Sequence, residues 1–253
     1  MTASASLIMY DYTRTMVSSS VMNVDEKGEQ GMKPLKALEV ETGQNPVASI
    51  ILIHGLGASG RDLAPIAQAL DLRSIGAVRF IFPNAPVRPV SVCGGERMPA
   101  WYDLLAPNLL LREDEPGLRN AHAYLASLID QEVARSIPSR RIVIGGFSQG
   151  CAMSLMTGLR YSSPLAGIAG LSGYLPLAGQ TGREATEANR ATPVFLAHGE
   201  GDTVVPLAAA RLARDWLHAE GHDVAWHVYP MAHEIIGAEI VDLNVWLVNC
   251  LSS

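Results

Sequence analysis

A serine between glycines is the first feature of the chain that could do chemistry. The segment IVIGGFSQGCAM joins a strand-like run to a helix-like run, and residues 146–150 within it fit the pattern G-x-S-x-G. Glycines let a strand and a helix pass closely at a sharp turn, and the turn places Ser148 beside the free N–H groups of the helix start. This pattern predicts a nucleophile. The same residues could serve packing alone, with Ser148 as a helix cap, so a base and an acid must be found.

Seven histidines compete for the role of base, and His233 is the best placed. It follows the last strand-like run, in YPMAHE, and it is the only histidine at such a position downstream of both the serine and the acid. His198 also lies at a strand end, but only four residues before the best acid, and His54 lies far upstream in HGLG. The others fall in helix or strand patterns or in a turn, where histidine is an ordinary structural residue.

The predicted acid is Asp202, which follows another strand-like run in LAHGEGDTVVP. Alone it is equally typical of a turn or a helix cap. Ser148, Asp202 and His233 nevertheless occur in the triad order that accompanies this serine motif, each just after a strand. In such a triad the serine attacks a carbonyl carbon, the histidine accepts its proton, and the aspartate fixes the imidazole tautomer and stabilises its charged form. If Asp202 is not the acid, Asp223 or Glu234 is the next candidate.

Alternating strand and helix patterns are expected to position these residues. The strand-like runs are LKALEVET, VASIILIHG, VRFIFP, RIVIGG, LAGIAGLSG, TPVFLAHG and VAWHVYP. Helical spacing covers GRDLAPIAQAL and residues 149–161, 206–220 and 237–250, and a further helix has apolar residues at Leu118, Ala121, Leu125, Leu128, Ile129 and Val133. Strands separated by helices imply a mostly parallel sheet covered on both faces. We predict one doubly wound α/β domain, with ligands at the carboxyl ends of its strands.

Two segments depart from this pattern. Residues 1–34 have few core-building runs and no basic region of a signal peptide, so we expect a mobile or loosely docked extension before a domain of residues 35–253. Met22 and Met32 are candidate translation starts. Residues 83–116 predict a long loop, whose apolar part, WYDLLAPNLLL, indicates either a substrate channel or a cover for the core.

Composition excludes several classes of function. A net charge of −6 and a pI near 5.6 argue against nucleic acid and against a basic membrane-binding patch. No apolar run is long enough for a membrane span. The cysteines at 93, 151 and 250 are odd in number, widely spaced and without a CxxC pair, so we expect reduced thiols and a cytoplasmic location rather than disulfides or a zinc site. The predicted chemistry requires no metal and no organic cofactor.

Several linked motifs resemble the acyl-protein thioesterase, phospholipase and carboxylesterase group of α/β-hydrolases. They are LIHGLGASG, FPNAPVRPVSVCGG, MPAWYD, LIDQEV, IPSRRIVIGGFSQG, GDTVVP and YPMAHE, spread over residues 48–247. The resemblance implies the α/β-hydrolase fold and an oxyanion hole formed by the backbone N–H groups of Leu56 and Gln149. It also implies that the 83–116 region borders the active site, where we expect a substrate pocket lined by Trp101, Leu104, Leu105, Val92 and Cys93.

The sequence departs from the usual pattern of this group at four positions outside the triad. Cys93 replaces a usual Asn, Cys151 a common Gly, and Ala58 a frequent acidic residue. Glu234, which follows the histidine, resembles the bacterial carboxylesterase branch rather than the eukaryotic thioesterases. These departures concern substrate preference and leave the triad intact.

The resemblance implies a serine carboxylesterase that hydrolyses short- to medium-chain esters through an acyl-enzyme on Ser148. An acyl-protein thioesterase or lysophospholipase is the main alternative. A binding protein that has lost its chemistry, or an enzyme that cleaves peptides or lactones, is a further alternative. The expected partner is a small-molecule ester or thioester, and a homodimer stays open.

Overall fold

Apolar runs place the middle strands of the sheet in the interior. The computed structural model describes residues 37–107 and 112–252. The strands in these ranges are β1 (Leu38–Glu41), β2 (Ala48–Ile53), β3 (Val78–Phe82), β4 (Val87–Val90), β5 (Glu96–Pro99), β6 (Ile142–Phe147), β7 (Gly167–Leu171), β8 (Val194–Gly199) and β9 (Val224–Tyr229). Seven of them form one sheet in the order β1-β3-β2-β6-β7-β8-β9, and β4 pairs with β5. Only β1 is antiparallel to its neighbour in this sheet, so the predicted mostly parallel sheet is confirmed.

Helices cover both faces of this sheet. They are α1 (Gly60–Ala69), α2 (Glu115–Ala134), α3 (Gln149–Arg160), α4 (Ala178–Glu184), α5 (Leu207–Ala219) and α6 (Gly237–Ser252). Apolar side chains of α1 and α6 pack in one core, and those of α2, α3 and α5 pack in the other. Ile50 and Leu52 of β2 belong to the first core, and Ile51 and Ile53 to the second, because alternate residues of a strand face opposite sides. No helix in the described part of the chain is both long and apolar enough to cross a membrane.

The strand order reverses between β2 and β6, which are parallel neighbours. From β2 the sheet continues through β3 to one edge, and from β6 through β7 to the other. In open α/β sheets such a reversal leaves a crevice at the carboxyl ends of the two strands. His54 follows β2 and Ser148 follows β6, so two of the sequence motifs meet at this crevice.

The predicted loop at 83–116 is only partly irregular. It contains the β4–β5 hairpin, and Leu104 bridges to Glu113 beyond it. Prolines at 86, 89 and 99 conceal the alternation that would indicate strands, and a two-stranded hairpin tolerates proline because each strand has an unpaired edge. The short helix α4 was also not predicted. Residues 1–34 and Leu109–Leu111, to which two of the predictions refer, lie outside the described residues.

The predicted core face of α2 is wrong at Val133. That side chain is 43% exposed, whereas the preceding Glu132 is fully buried. Glu132 forms ion pairs with Arg79 at 2.8 Å and Arg135 at 2.9 Å, and it accepts a hydrogen bond from the hydroxyl of Ser49. A carboxylate that is paired and hydrogen-bonded can occupy a buried position, which hydrophobic periodicity does not indicate.

A second buried carboxylate, Glu239 in the first turn of α6, has no such support. It is fully buried, and neither of its carboxylate oxygens has a partner in normal hydrogen-bonding geometry among the described residues. Burial raises the pKa of Glu239 to about 8, and the backbone of Ile236 offsets this only in part. The folded state therefore binds the Glu239 proton more tightly than the unfolded state does. The resulting stabilisation is fully present below the ordinary pKa of 4.5 and is lost as the pH rises to about 8.

Replacing Glu239 by Gln should therefore raise the thermal stability more at high pH than at low pH. The amide cannot ionise, so the variant avoids the cost of charging a buried group. The check is Tm measured by circular dichroism from about pH 5 to about pH 8.5, with the exposed Glu96→Gln as control. A difference between Glu239→Gln and the native protein that stays constant across this range would contradict the assignment.

Candidate active site

Ser148 occupies a backbone conformation that few residues other than glycine adopt. Its φ and ψ are 57° and −117°, and its N–H donates to the carbonyl oxygen of Leu171 at 2.9 Å. A Cβ on Gly146 would overlap the carbonyl group of Gly150, and a Cβ on Gly150 would overlap the carbonyl oxygen of Ile53. The two glycines of the motif are therefore required by close backbone packing between α3, β6 and the end of β2.

The structure brings together the three residues that the sequence predicts as a triad. The Oγ of Ser148 lies 2.9 Å from Nε2 of His233, and Nδ1 of His233 lies 2.7 Å from Oδ2 of Asp202. The three follow β6, β9 and β8 respectively, at the carboxyl edge of the sheet. Asp223, one of the two alternative acids, immediately precedes β9 and so lies at the opposite edge. The ring of His233 also packs against Phe147, with centroids 4.8 Å apart.

Hydrogen bonding keeps Asp202 ionised. Burial alone would raise the pKa of Asp202, but hydrogen bonds from His198 and His233, the charge of His233 and the N–H of Val205 outweigh it and lower that pKa below its ordinary range. An ionised carboxylate only accepts hydrogen bonds, so Nδ1 of His233 carries a proton. Nε2 is then free to accept the proton of the Ser148 hydroxyl, which activates the serine as a nucleophile.

Two backbone N–H groups next to Ser148 have no acceptor among the described residues. The N–H of Gln149 is the first of α3, so no earlier helical turn can accept it. In the loop after β2, the N–H of Gly57 donates to Pro99 at 2.8 Å and that of Ala58 to Gly55 at 3.3 Å, but that of Leu56 has no main-chain acceptor in the described ranges. Gln149 and Leu56 both border a cavity at Ser148. These are the groups predicted for the oxyanion hole.

The side chain of Gln149 has a second role that the sequence did not indicate. Its Oε1 accepts from the N–H of Trp101 at 3.1 Å, and its Nε2 donates to the carbonyl oxygen of Tyr102 at 3.1 Å. The indole N–H of Trp101 in turn donates to the carbonyl oxygen of His54 at 2.9 Å. These bonds tie the serine turn and the Leu56 loop to one segment. The sequence offered only the presence of a glutamine after Ser148, which does not by itself reveal these partners.

His54 holds the other side of the Leu56 loop. Its Nδ1–H donates to the carbonyl oxygen of Gly55 at 2.7 Å, and its Nε2 accepts the N–H of Ala85 at 3.0 Å. Burial lowers the pKa of His54, which keeps the ring neutral and leaves Nε2 able to accept. His54 therefore supports the loop that carries the Leu56 amide, without contacting the serine hydroxyl.

Two cavities meet at Ser148. The His233 cavity is bordered by His54, Gly55, Leu56, Ala58, Asp62, Leu63, Phe147, His233 and Ile235. The Gln149 cavity is bordered by Leu56, Val92, Tyr102, Leu104, Ala106, Pro107, Gln149, Tyr174, Val204 and Val205. Among the described residues that border the Gln149 cavity, the polar side chains are Ser148, Gln149 and two tyrosines, whose hydroxyls hydrogen-bond to each other at 2.9 Å.

Three of the five residues predicted for the pocket do not border either cavity. Trp101 is 2% exposed and lies in the core, because its indole N–H finds an acceptor inside the protein. Leu105 is half-buried, and Cys93 packs against a small apolar cluster of Leu56, Val90 and Ala100. Val92 and Leu104 do border the Gln149 cavity. Of the other residues at the Gln149 cavity, Tyr102, Ala106 and Pro107 lie in the segment WYDLLAPNLLL, for which a substrate channel was one of the two predictions. Tyr174, Val204 and Val205 were not predicted, and Val204 and Val205 lie in the motif GDTVVP.

The three cysteines take no part in the hydrogen-bonded arrangement of Ser148, His233 and Asp202. Cys151 and Cys250 are buried and Cys93 is half-buried, and all three are free. Burial raises the pKa of Cys250 to about 12 and that of Cys151 further, which makes both poor nucleophiles. Within residues 37–107 and 112–252, no group of three or more His, Cys, Asp or Glu side chains is arranged to hold a metal ion.

Comparison with known proteins identifies relatives over most of the chain. The model of the phospholipase/carboxylesterase family matches residues 35–251. Acyl-protein thioesterase 1 of Yarrowia lipolytica is 40% identical over 221 residues, which cover 85% of this chain and 97% of that protein. The crystal structure of SOBER1 from Arabidopsis thaliana is 29% identical with a TM-score of 0.76, covering 81% of this chain and 99% of that one. Acyl-protein thioesterase 2 from Zea mays is 27% identical with a TM-score of 0.75, covering 85% and 99%.

Replacing Gln149 by Ala should destabilise the protein while leaving the main-chain N–H of residue 149 in place. The change removes the partners of a buried N–H and a buried carbonyl, which costs roughly 2 kcal/mol of unfolding free energy. Urea unfolding followed by tryptophan fluorescence measures this loss, with the exposed Gln68→Ala as a matched control. Equal stability of the two variants would show that the side-chain hydrogen bonds of Gln149 have no structural role.

Proposed function

Since the chain belongs to the phospholipase/carboxylesterase family of serine hydrolases, we propose that it hydrolyses carboxylic esters and thioesters of short- to medium-chain acyl groups. The observation that carries this proposal is the hydrogen-bonded series of Ser148, His233 and Asp202 beside the unpaired amides of Leu56 and Gln149. An ester or thioester carbonyl placed there meets a nucleophile, a base and two oxyanion donors together.

The first half of the reaction transfers the acyl group to the enzyme. The Oγ of Ser148 attacks the carbonyl carbon while Nε2 of His233 takes the hydroxyl proton. The negative oxygen of the tetrahedral intermediate is held by the amides of Leu56 and Gln149. Asp202 stabilises the positive imidazolium. The intermediate then collapses, His233 gives its proton to the departing alcohol or thiol, and the acyl group stays on Ser148 as an ester.

The second half repeats these steps with water. His233 takes a proton from water as the water oxygen attacks the acyl-enzyme carbonyl, and the same two amides hold the oxyanion. Collapse of this second intermediate breaks the bond to Ser148, whose oxygen recovers a proton from His233. The acid leaves, and the enzyme returns to its starting state.

The two cavities support a division of the substrate at Ser148. The leaving group must receive its proton from His233, and only the His233 cavity borders that ring. The acyl chain then occupies the Gln149 cavity, whose lining of Val, Leu, Ala and Pro suits hydrocarbon. Leu104 and Val92, predicted as pocket residues, belong to this acyl side.

The relatives favour thioesters as one class of substrate. Both acyl-protein thioesterases compared above are named for that activity, and the chain covers 97% and 99% of their lengths. Ester and thioester hydrolysis use the same nucleophile and oxyanion hole, so the carboxylesterase prediction and the thioesterase alternative differ in the leaving group only. Lysophospholipid hydrolysis requires a longer acyl chain in the same cavity.

Three finer predictions extend this proposal. The bacterial carboxylesterase branch rests on Glu234 alone, and the fungal and plant relatives above add no support for it. Three free thiols favour a reducing compartment, with the cytoplasm as the predicted location. A homodimer stays a prediction.

Replacing Asp202 by Asn should lower kcat by about 10⁴-fold, because the amide favours the wrong imidazole tautomer of His233. Ser148→Ala should leave no acyl-enzyme turnover. Hydrolysis of p-nitrophenyl butyrate, with circular dichroism to verify folding, measures both. Asp223→Asn is the control, since that carboxylate lies at the other edge of the sheet. Loss of activity in Asp223→Asn with retention in Asp202→Asn would reverse the assignment of the acid.

A series of p-nitrophenyl esters should show kcat/KM rising with acyl length and then falling. Each buried CH₂ contributes about 0.8 kcal/mol, so two methylenes raise kcat/KM about tenfold until the Gln149 cavity is full. Leu104→Phe, which fills the cavity, should move the optimum to shorter chains, whereas Leu105→Phe outside it should not. The series is run beside a lysophospholipid and an acylated-peptide thioester. A flat profile from acetyl to decanoyl would exclude an acyl channel, and action on the peptide thioester alone would limit the function to thioesters.

A further inference from the structure

A second histidine contacts the same oxygen of Asp202 as His233 does. His198 lies near the end of β8 and is fully buried. Its Nε2 is 2.8 Å from the carbonyl oxygen of Val205 and 3.3 Å from Oδ2 of Asp202. Because a carbonyl oxygen only accepts, Nε2 carries a hydrogen. That one N–H is shared between the loop backbone and the oxygen of Asp202 that also binds His233.

Structural stability alone does not explain a histidine at this position. Its Nδ1 is buried without a hydrogen-bond partner among the described residues. The surrounding side chains are mostly apolar, and they include Leu155, Leu196, Ala213 and Trp226. A buried nitrogen without a partner destabilises the folded state, and an apolar side chain of similar size would avoid that loss. The Nε2–H must therefore serve a purpose that an apolar side chain cannot.

The turn that follows Asp202 shows what this N–H does. Oδ1 of Asp202 accepts the N–H groups of Val204 and Val205, each at 2.9 Å, so the turn after Asp202 folds back on its own carboxylate. His198 also holds this turn, because its Nε2–H donates to the carbonyl oxygen of Val205. Among the described side chains, His198 and His233 are the two that contact Oδ2. Without His198, the carboxylate keeps its bonds to the turn but loses the anchor that fixes the turn against β8.

We propose that His198 is a positioning residue, whose Nε2–H fixes Asp202 and its turn so that Oδ2 meets Nδ1 of His233. The inference rests on the proposed function only in taking Ser148, His233 and Asp202 as the reacting set. His198 does not touch the substrate carbon or the serine. It acts through Asp202, and small displacements of such a group are expected to cost up to about 10²-fold in rate.

The test compares His198→Leu with His198→Gln. The glutamine amide can donate from about the position of Nε2, whereas leucine fills the space without a donor. We expect His198→Leu to lower the second-order rate of fluorophosphonate labelling of Ser148 by about 10- to 100-fold and His198→Gln to retain most of it. This labelling needs an activated serine but assumes no natural substrate. A native protein that labels rapidly but hydrolyses no ester or thioester would refute the proposed function, while the His198 comparison would still decide the present inference.

A buried histidine elsewhere provides the matched control. His222, in the turn before β9, is 7% exposed and also has an unpartnered Nδ1, but it packs against Trp216 away from the triad. His222→Leu should change stability without changing the labelling rate. If His198→Leu does not fold, His198→Met is the second apolar variant. Equal labelling rates of the native protein and the folded apolar variant would overturn the proposal, as would a loss shared equally by His198→Gln.

Kinetics on short and long esters distinguish positioning from an effect on the pocket. Val204 and Val205 border the Gln149 cavity, so loosening their turn could act through the acyl chain instead of through Asp202. The proposal predicts that His198→Leu lowers kcat equally for acetyl and octanoyl esters with KM nearly unchanged. It also predicts that the acid limb of the kcat/KM profile moves to lower pH, since a displaced Asp202 supports the protonated His233 less well. A loss confined to octanoyl esters, or an unmoved acid limb, would contradict it.

Discussion

The site depends on one close packing contact, where the serine turn presses against the end of β2. Ser148 is held at a φ of 57°, a conformation that costs of order 1–3 kcal/mol and persists only where the surroundings impose it. The surroundings here are the backbone of Gly150 against the carbonyl oxygen of Ile53, with Gly146 close behind. Because β2 leads directly into the Leu56 loop, this contact fixes Ser148 and the proposed oxyanion donor Leu56 relative to each other. The strain is offset by the packing of a central sheet that is buried on both faces.

Hydrogen bonds of buried polar groups then hold the loops around Ser148 in place. Trp101 bridges the two loops that carry the proposed oxyanion amides, because it donates to the carbonyl oxygen of His54 and to the side chain of Gln149. On the acid side, the turn of Asp202 is closed by its own amides and by His198. In both places a buried imidazole hydrogen-bonds to the backbone of a loop at the candidate site. Such preorganisation removes reorganisation cost from the reaction itself.

The sequence was sufficient to predict the features that depend on order and periodicity. The parallel sheet followed from apolar runs separated by helices, and the positions of Ser148, Asp202 and His233 followed from motifs at strand ends. The features that it did not predict depend on partners distant in the chain. Glu132 of α2, rather than Val133, is buried because it forms an ion pair with Arg79 of β3. Trp101 lies in the core rather than at the pocket because its indole N–H donates to the carbonyl oxygen of His54. No local pattern encodes either partner.

Trapping the proposed covalent acyl intermediate on Ser148 is the most direct test of the mechanism. A p-nitrophenyl carbamate acylates an activated serine, and its carbamoyl ester hydrolyses slowly. The account predicts a burst of about one p-nitrophenolate per chain, with the added carbamoyl mass found by mass spectrometry on the peptide that contains Ser148. The absence of a burst in folded protein, or the added mass on a cysteine or another serine, would contradict the account.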